Sequence, residues 1–200
     1  MAHSLYAIIY VENLLQKGQN KKTVSFFTYK EIMNLFLLNY YVLCDKIFLL
    51  IYKRGKNMGN YSALEIAEYI IGYSKQRNYS ISNLKLQKIL YFLQAQFLVS
   101  FNTPCFVETI EAWDLGPVVR NVYNKYRRYG SANIYLGSLN LENIMSDRES
   151  QNIRLIIDRC SNYSANKLVD ITHNQAPWKK AYYRGNKIIY NEDIQDYFRR

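Results

Sequence analysis

The apolar pattern is strongest over residues 82–100, SNLKLQKILYFLQAQFLVS. Apolar side chains recur there every three or four positions, at Leu86, Ile89, Leu90, Leu93 and Phe97. This spacing predicts an α-helix with a continuous apolar face. Ser82 suits the N-cap, because a serine oxygen accepts a hydrogen bond from the unpaired amides of the first turn. Leu84, Phe92 and Ala95 widen the face, so we expect flanking segments to cover this central helix on more than one side.

The flanking segments carry their own helix-start signals. Ser62 with Glu65 and Ser146 with Glu149 have the spacing of capping boxes, each followed by apolar residues at helical spacing. Further helices are predicted to begin at Ser164 and Pro177, and Asn191 is predicted to cap the last helix. The pattern therefore predicts a mainly α fold, a compact multi-helix domain around the central hydrophobic helix.

Two short stretches rich in β-branched and aromatic residues suggest a small β ribbon. They are Thr109–Trp113 and Lys187–Tyr190, which we expect to pair. Between them, Gly116 permits a sharp turn. Pro117 suits the first position of the next helix, where its missing N–H costs nothing. That helix is predicted to run to Gly130.

Residues 1–57 differ in texture from the rest of the chain. Ile32–Ile51 is about as long as a membrane span, but polar residues interrupt it at Asn34, Asn39, Asp45 and Lys46. The codons of residues 53–57 can also spell a ribosome-binding sequence ahead of Met58. Three interpretations are open, namely a translated leader or non-native start, an amphipathic appendage, and a membrane anchor. We expect a helical domain over residues 58–200, with residues 1–57 as an N-terminal extension.

The net charge of +10 permits an anionic partner without requiring one. Residues 1–57 carry eight Lys or Arg against three Asp or Glu, and the remainder carries eighteen against thirteen. The predicted domain is thus only mildly basic, as a solvated surface also is. The three cysteines, Cys44, Cys105 and Cys160, lie far apart and outside any metal-binding spacing. We expect free thiols in a reducing compartment and, with no secretory signal visible, a cytoplasmic location.

Candidate chemistry is sparse along the chain. His173 is the histidine to consider, since the other, His3, lies in the N-terminal extension. Without a partner at recognisable spacing, His173 is typical of a hydrogen-bonded structural residue rather than of a catalyst or metal ligand. The cations of residues 125–128 follow a helix, where they complement its dipole or form a phosphate-binding patch. We therefore expect no catalytic, cofactor or metal site.

A set of residues in a fixed order carries a family resemblance. The set is Leu84, Leu86, Lys88 and Tyr91, then Glu111, Trp113, Gly116, Pro117, Val118 and Tyr123, then Thr172, His173, Pro177 and Trp178. In this order and at these separations the chain resembles the Panacea antitoxin domain, also described as SocA-like or phage-associated GepA-like. The resemblance covers about residues 61–198. Residues 1–57 match nothing in that family.

The resemblance implies an antitoxin of a bacterial or prophage toxin–antitoxin pair. Such a protein is helical, is encoded beside its toxin, neutralises that toxin by direct binding, and in at least one member also acts as a protease adaptor. It implies no catalytic centre and no cofactor. The alternative is a small DNA-binding regulator acting on its own promoter. Within the motif, Glu111, Trp113, Gly116 and Pro117 are either a recognition edge or packing residues that start the next helix.

Overall fold

The computed structural model describes residues 61–135 and 145–199. The predicted extension, its boundary at Met58 and Cys44 lie outside the described residues. The described part contains seven α-helices and a three-stranded antiparallel sheet, which confirms a mainly α fold with a small β ribbon.

The described residues form seven α-helices and three strands, with the following bounds. The helices are α1 (Ala63–Gln76), α2 (Asn83–Phe101), α3 (Arg120–Tyr126), α4 (Asp147–Ser161), α5 (Ala165–His173), α6 (Ala176–Tyr183) and α7 (Asn191–Phe198). The strands are β1 (Ile110–Trp113), β2 (Gly116–Val118) and β3 (Ile188–Ile189). A 3₁₀ turn, Arg127–Tyr129, follows α3.

Helix α2 is the centre of the fold, as its apolar pattern predicts. Ser82 caps it by accepting a hydrogen bond from the Lys85 amide, and Leu86, Leu90 and Leu93 are fully buried. Helices α1, α3, α4, α5 and α7 and strand β2 all pack against it. Burial on every side explains why the apolar positions of α2 are not confined to one stripe.

Both predicted capping boxes are present. The side chains of Ser62 and Ser146 each accept a hydrogen bond from the amide three residues on. In return, the Glu65 and Glu149 carboxylates accept one from the backbone amide of the capping serine. Ser164 caps α5 in the same way, through the Lys167 amide. Each pairing spans only three residues, so the local sequence is sufficient to specify it.

The sheet has the order β2-β1-β3, with Ile110 paired to Ile189 and Glu111 to Ile188. The predicted ribbon is therefore confirmed. A two-residue turn after Trp113 joins β1 to β2, and Trp113 pairs with Gly116. Strand β2 was not predicted.

The prediction that Pro117 opens a helix is wrong. Pro117 lies in β2 opposite Ala112, and the following helix starts at Arg120 with Val119 as its N-cap. Proline is accepted here because β2 is an edge strand, where a residue without an N–H removes no ladder bond. The sharp turn expected at Gly116 is present, and its φ is +97°.

The start of α7 also differs from the prediction. Asn191 is its first helical residue rather than its cap, and the N-cap is Tyr190, which makes no side-chain cap bond. The Asn191 carboxamide oxygen instead accepts a hydrogen bond of 3.0 Å from Gln94 Nε2 on α2. The oxygen that would cap the helix locally is therefore bonded to Gln94, which is distant in the sequence.

The two cysteines in the described residues, Cys105 and Cys160, are free and buried. Burial raises the pKa of the Cys160 thiol to about 12, so the thiolate is disfavoured. None of the helices in the described ranges has the length and apolarity needed to cross a bilayer.

Candidate functional site

A cleft of about 700 Å³ opens where the β1–β2 hairpin meets the first turns of α2 and α3. Its walls also include the 3₁₀ turn after α3 and the loop before β3. The residues that line the cleft include Leu84, Gln87, Glu111, Trp113, Asp114, Leu115, Arg120, Tyr123, Arg127 and Lys187. The cleft thus gathers residues from five separate segments of the chain.

One wall is a cluster of two aromatic rings and an ion pair. The Trp113 and Tyr123 rings meet edge to face with centroids 4.9 Å apart. The Arg120 guanidinium lies 5.3 Å from the centroid of the Trp113 ring. The Trp113 indole N–H donates to Glu111 at 2.9 Å. Each of these four side chains therefore contacts at least one other, which holds the half-buried indole in place.

The ion pair of this wall joins the strand to the helix. Arg120 Nε donates to one Glu111 carboxylate oxygen at 2.8 Å, and a terminal nitrogen of the guanidinium donates to the other at 2.5 Å. These bonds hold the pKa of Glu111 below its usual value. Because the Arg120 side chain is 62% exposed, the pair adds little stability, but its two-point geometry fixes both side chains.

The free edge of β2 is completed by side chains of α2. Lys88 Nζ donates to the Pro117 carbonyl at 2.8 Å. Gln87 Oε1 accepts from the Val119 amide at 2.8 Å. These bonds do what a neighbouring strand would do, since they satisfy buried backbone groups that water cannot reach. They also fix the distance between the hairpin and α2, and hence the width of the cleft.

Lys88 is fully buried, and burial lowers its pKa to about 7. Gly116 lies directly against it. A Cβ at position 116 would stand 2.8 Å from Lys88 Nζ and 2.8 Å from Thr172 Oγ1, closer than side chains approach. The absence of a side chain at Gly116 therefore lets the hairpin pack down onto α2 and α5.

His173 packs behind the hairpin against Trp178. Their rings stack with centroids 4.1 Å apart, and the Trp178 indole N–H donates to the Trp113 carbonyl at 3.1 Å. Burial and the nearby Lys88 charge lower the pKa of His173, while a hydrogen bond with the Asp114 backbone raises it in part. Its Nε2 is buried without a hydrogen-bond partner among the described residues. The arrangement ties α5, α6 and the hairpin together.

The structure divides the sequence-predicted residues among three places. The cleft is lined by Leu84, Glu111, Trp113, Val118 and Tyr123. The layer behind the hairpin contains Lys88, Gly116, Pro117, Thr172, His173, Pro177 and Trp178. Leu86 and Tyr91 belong to the core, where the Tyr91 hydroxyl donates to Gln175 at 2.9 Å. Trp113 lines the cleft and also packs on Tyr123, so its packing role leaves part of the ring accessible from the cleft.

Sequence reasoning missed Gln87, Arg120 and Lys187 as residues of the site, whereas Arg127 belongs to the cations of residues 125–128 that it did consider. For Gln87 a signal existed, because a polar residue next to Lys88 on an apolar helix needs a buried partner. Arg120 and Lys187 carry no such signal, since exposed cations occur throughout the chain. Across residues 61–135 and 145–199, no cluster of three or more His, Cys, Asp or Glu side chains is arranged to hold a metal ion.

A second depression lies on another part of the surface. It is an apolar groove of about 310 Å³ between α2, α4, α5 and α7, lined by Phe92, Ala95, Val99, Ile156, Cys160, Tyr163, Leu168, Ile171 and Phe198, with Gln96 and Arg159 as polar members. It shares no lining residue with the cleft.

Comparison with known proteins places the chain in a family. The family described as "Antitoxin SocA-like, Panacea domain" matches residues 86–179. The protein named Antitoxin SocA from Caulobacter vibrioides (strain NA1000 / CB15N) is 32% identical over 127 residues, covering 58% of this chain and 68% of that protein. The chain belongs to the SocA-like Panacea antitoxin family. No solved structure matches it significantly.

The family match spans most of the segments that build the site, whereas the lining residues Leu84 and Lys187 lie outside it. It begins at Leu86 on α2 and ends at Lys179 on α6, so it contains the β1–β2 hairpin, α3 and the layer behind the hairpin. Membership in an antitoxin family supports an antitoxin role for this chain and, in general, a toxin as its partner.

Proposed function

We propose that this Panacea-domain chain neutralises a toxin encoded by the adjacent gene by binding it directly at the cleft. The observation that carries the proposal is the cluster of Trp113, Tyr123 and Arg120 on an open wall. These are the residue types that supply most of the binding energy in protein interfaces. Their side chains are already held by Glu111 and by each other, so little conformational entropy is lost on binding.

The hairpin tip offers an apolar contact beside this cluster. Leu115 is 58% exposed at the turn and lines the cleft. An exposed leucine beside a Trp–Arg wall suits a partner surface that covers both. Inhibition by occlusion requires only such an interface and a slow dissociation rate, without catalysis by the antitoxin.

The test is growth rescue together with measured affinity. The product of the adjacent gene is expressed alone to establish growth arrest and then with the full chain. Leu115→Asp changes an exposed side chain, so we expect folding to persist while the Kd rises about tenfold or more and rescue fails. Val107→Asp is the matched control, because Val107 is 69% exposed and does not line the cleft.

Each outcome of this test bears on the proposal. Rescue by Val107→Asp but not by Leu115→Asp supports the cleft as the toxin-binding surface. Equal rescue by both variants contradicts the cleft. The absence of a growth-arresting neighbouring product contradicts neutralisation itself.

A protease-adaptor role is a second candidate, favoured by the apolar groove. An adaptor must hold its cargo and the protease at once, and the groove shares no lining residue with the cleft. Tyr163 is 46% exposed in this groove. If the role is real, Tyr163→Asp leaves toxin binding intact and slows toxin degradation in vivo. Unchanged toxin half-life in that variant contradicts it.

The DNA-binding alternative has weaker support from the described surface. Of the cations at residues 125–128, Lys125 pairs with Glu68 and Arg128 lies 5.2 Å from the Tyr129 ring centroid. The Asp114 carboxylate also lines the cleft, where it would repel a phosphate backbone. Promoter DNA binding that falls steeply with salt would restore this alternative.

A further inference from the structure

We propose that the cleft selects an acidic segment of its protein partner through two cations, Arg127 and Lys187. Both side chains are exposed and line the cleft, one from the 3₁₀ turn after α3 and one from the loop before β3. This inference rests on the proposed function, because the partner in question is the toxin. It adds the chemistry by which that partner is recognised.

The carboxylates that line the cleft already have partners. Both oxygens of Glu111 accept from Arg120, and one also accepts from the Trp113 indole. A carboxylate oxygen of Asp114 accepts from the Tyr182 hydroxyl at 2.9 Å. Neither group is engaged with the two cations.

Arg127 and Lys187 lack a carboxylate partner within residues 61–135 and 145–199. Three other cations of the described surface do have such a partner, since Lys125 contacts Glu68, and both Lys180 and Arg184 contact Asp193. The Lys187 ammonium lies 4.7 Å from the centroid of the Tyr182 ring, a contact that leaves its charge uncompensated. The cleft therefore presents two cations without a carboxylate partner among the described residues, and its lining as a whole carries three cations against two carboxylates, a net charge of +1.

The backbone fixes the position of Lys187. Its φ is +52°, in the left-handed region that residues other than glycine and asparagine seldom adopt. Its carbonyl accepts from the Ala112 amide at 2.8 Å, which extends the β1–β3 ladder by one bond. The loop is thus anchored to the sheet at this residue, and the cation is presented from a fixed backbone.

An acidic polypeptide fits these charges better than a nucleic acid does. A phosphate backbone carries closely spaced negative charges and would bring some of them against the Asp114 carboxylate on the cleft wall. An acidic peptide places single carboxylates at Arg127 and Lys187 and an apolar side chain against Leu115. The mixture of two cations, an indole and a leucine in one cleft is therefore typical of a protein partner.

The test titrates poly-L-glutamate into the full chain at low salt. The indole N–H signal of Trp113, which lines the cleft, reports on binding in the NMR spectrum. We expect Arg127→Glu with Lys187→Glu to weaken binding about tenfold or more. The control, Lys167→Glu with Lys179→Glu, makes the same charge change outside the cleft and is expected to change the affinity less than about twofold.

The outcomes separate this inference from the proposed function. Equal weakening by both double variants, or tighter binding of oligothymidylate through the same two cations, overturns the acidic-partner inference. If the double variant Arg127→Glu with Lys187→Glu rescues growth to the same extent as the control double variant, the acidic-partner inference fails and neutralisation stands. If poly-L-glutamate binds at the cleft as expected but the unaltered chain gives no rescue, neutralisation fails and the cleft's preference for acidic chains stands.

Discussion

The Lys88 ammonium donates a 2.8 Å hydrogen bond to the carbonyl of Pro117, across the junction between helix α2 and the edge strand β2. The lysine is fully buried, and no carboxylate within the described ranges pairs with it. Its side chain supplies the hydrogen bond that a neighbouring strand would otherwise donate to the Pro117 carbonyl, because β2 is an edge strand. The position of the hairpin, and with it the cleft, depends on this contact and on Gln87 beside it.

Lys88 is expected to make stability depend on pH. Its pKa is about 7 in the folded chain against an ordinary value of 10.5. As pH falls from about 10.5 to about 7, the unfolded chain takes up a proton that the folded chain does not. The free energy of unfolding should therefore decrease over this range, by an amount on the order of several kcal/mol.

Lys88→Met tests this dependence. The variant loses one hydrogen bond at every pH but also loses the titration, so its stability relative to the unaltered chain should improve as pH falls from 9.5 to 6.5. Urea unfolding at several pH values measures the difference. Lys167→Met, at an exposed position, should show a difference that does not vary with pH. A constant difference for Lys88→Met as well would mean that the buried ammonium does not titrate in this range.

Gly116→Ala is expected to destabilise the chain by about 2–4 kcal/mol. The new methyl group would meet Lys88 Nζ and Thr172 Oγ1 at 2.8 Å each, and a φ of +97° is strained for alanine. Gly185→Ala is the matched control, because nothing lies within 4 Å of its added Cβ. Denaturant unfolding compares the two. Similar stabilities for both variants would show that the hairpin can move away from α2 at no cost.

Gln94→Leu is expected to cost about 3 kcal/mol or more. Its amide oxygen accepts from the Cys105 and Phe106 amides at 2.9 and 3.2 Å, and its amide nitrogen donates to the Phe106 carbonyl at 3.2 Å. Leucine fills the space but leaves these buried backbone groups unpaired. Gln96→Leu, half-buried on the same helix and bonded only to side chains, should cost about 1 kcal/mol or less. Thermal melting of both variants provides the comparison, and an equal loss would refute the backbone-bonding role of Gln94.

The starts of the four serine-capped helices, α1, α2, α4 and α5, could be predicted because their signals are local. Ser62 and Glu65 lie three residues apart, and the apolar period of α2 repeats within each turn. Such signals act through backbone groups that are neighbours whatever the rest of the chain does. The pairing of β1 with β3 was also predictable, since few other stretches have strand-forming composition.

The sequence by itself determined the central helix, the capped helices around it and the ribbon, because short-range hydrogen bonds and apolar periodicity specify them. Only the tertiary structure decided that Pro117 lies in an edge strand, that Asn191 bonds Gln94 across the fold, and that Arg127 and Lys187 share a cleft. In each case the neighbour that decides the outcome is distant in the chain. No local pattern indicates which distant group bonds a buried carbonyl, or whether a carboxylate lies near a given cation. Packing makes that choice, since it decides which polar groups are removed from water together.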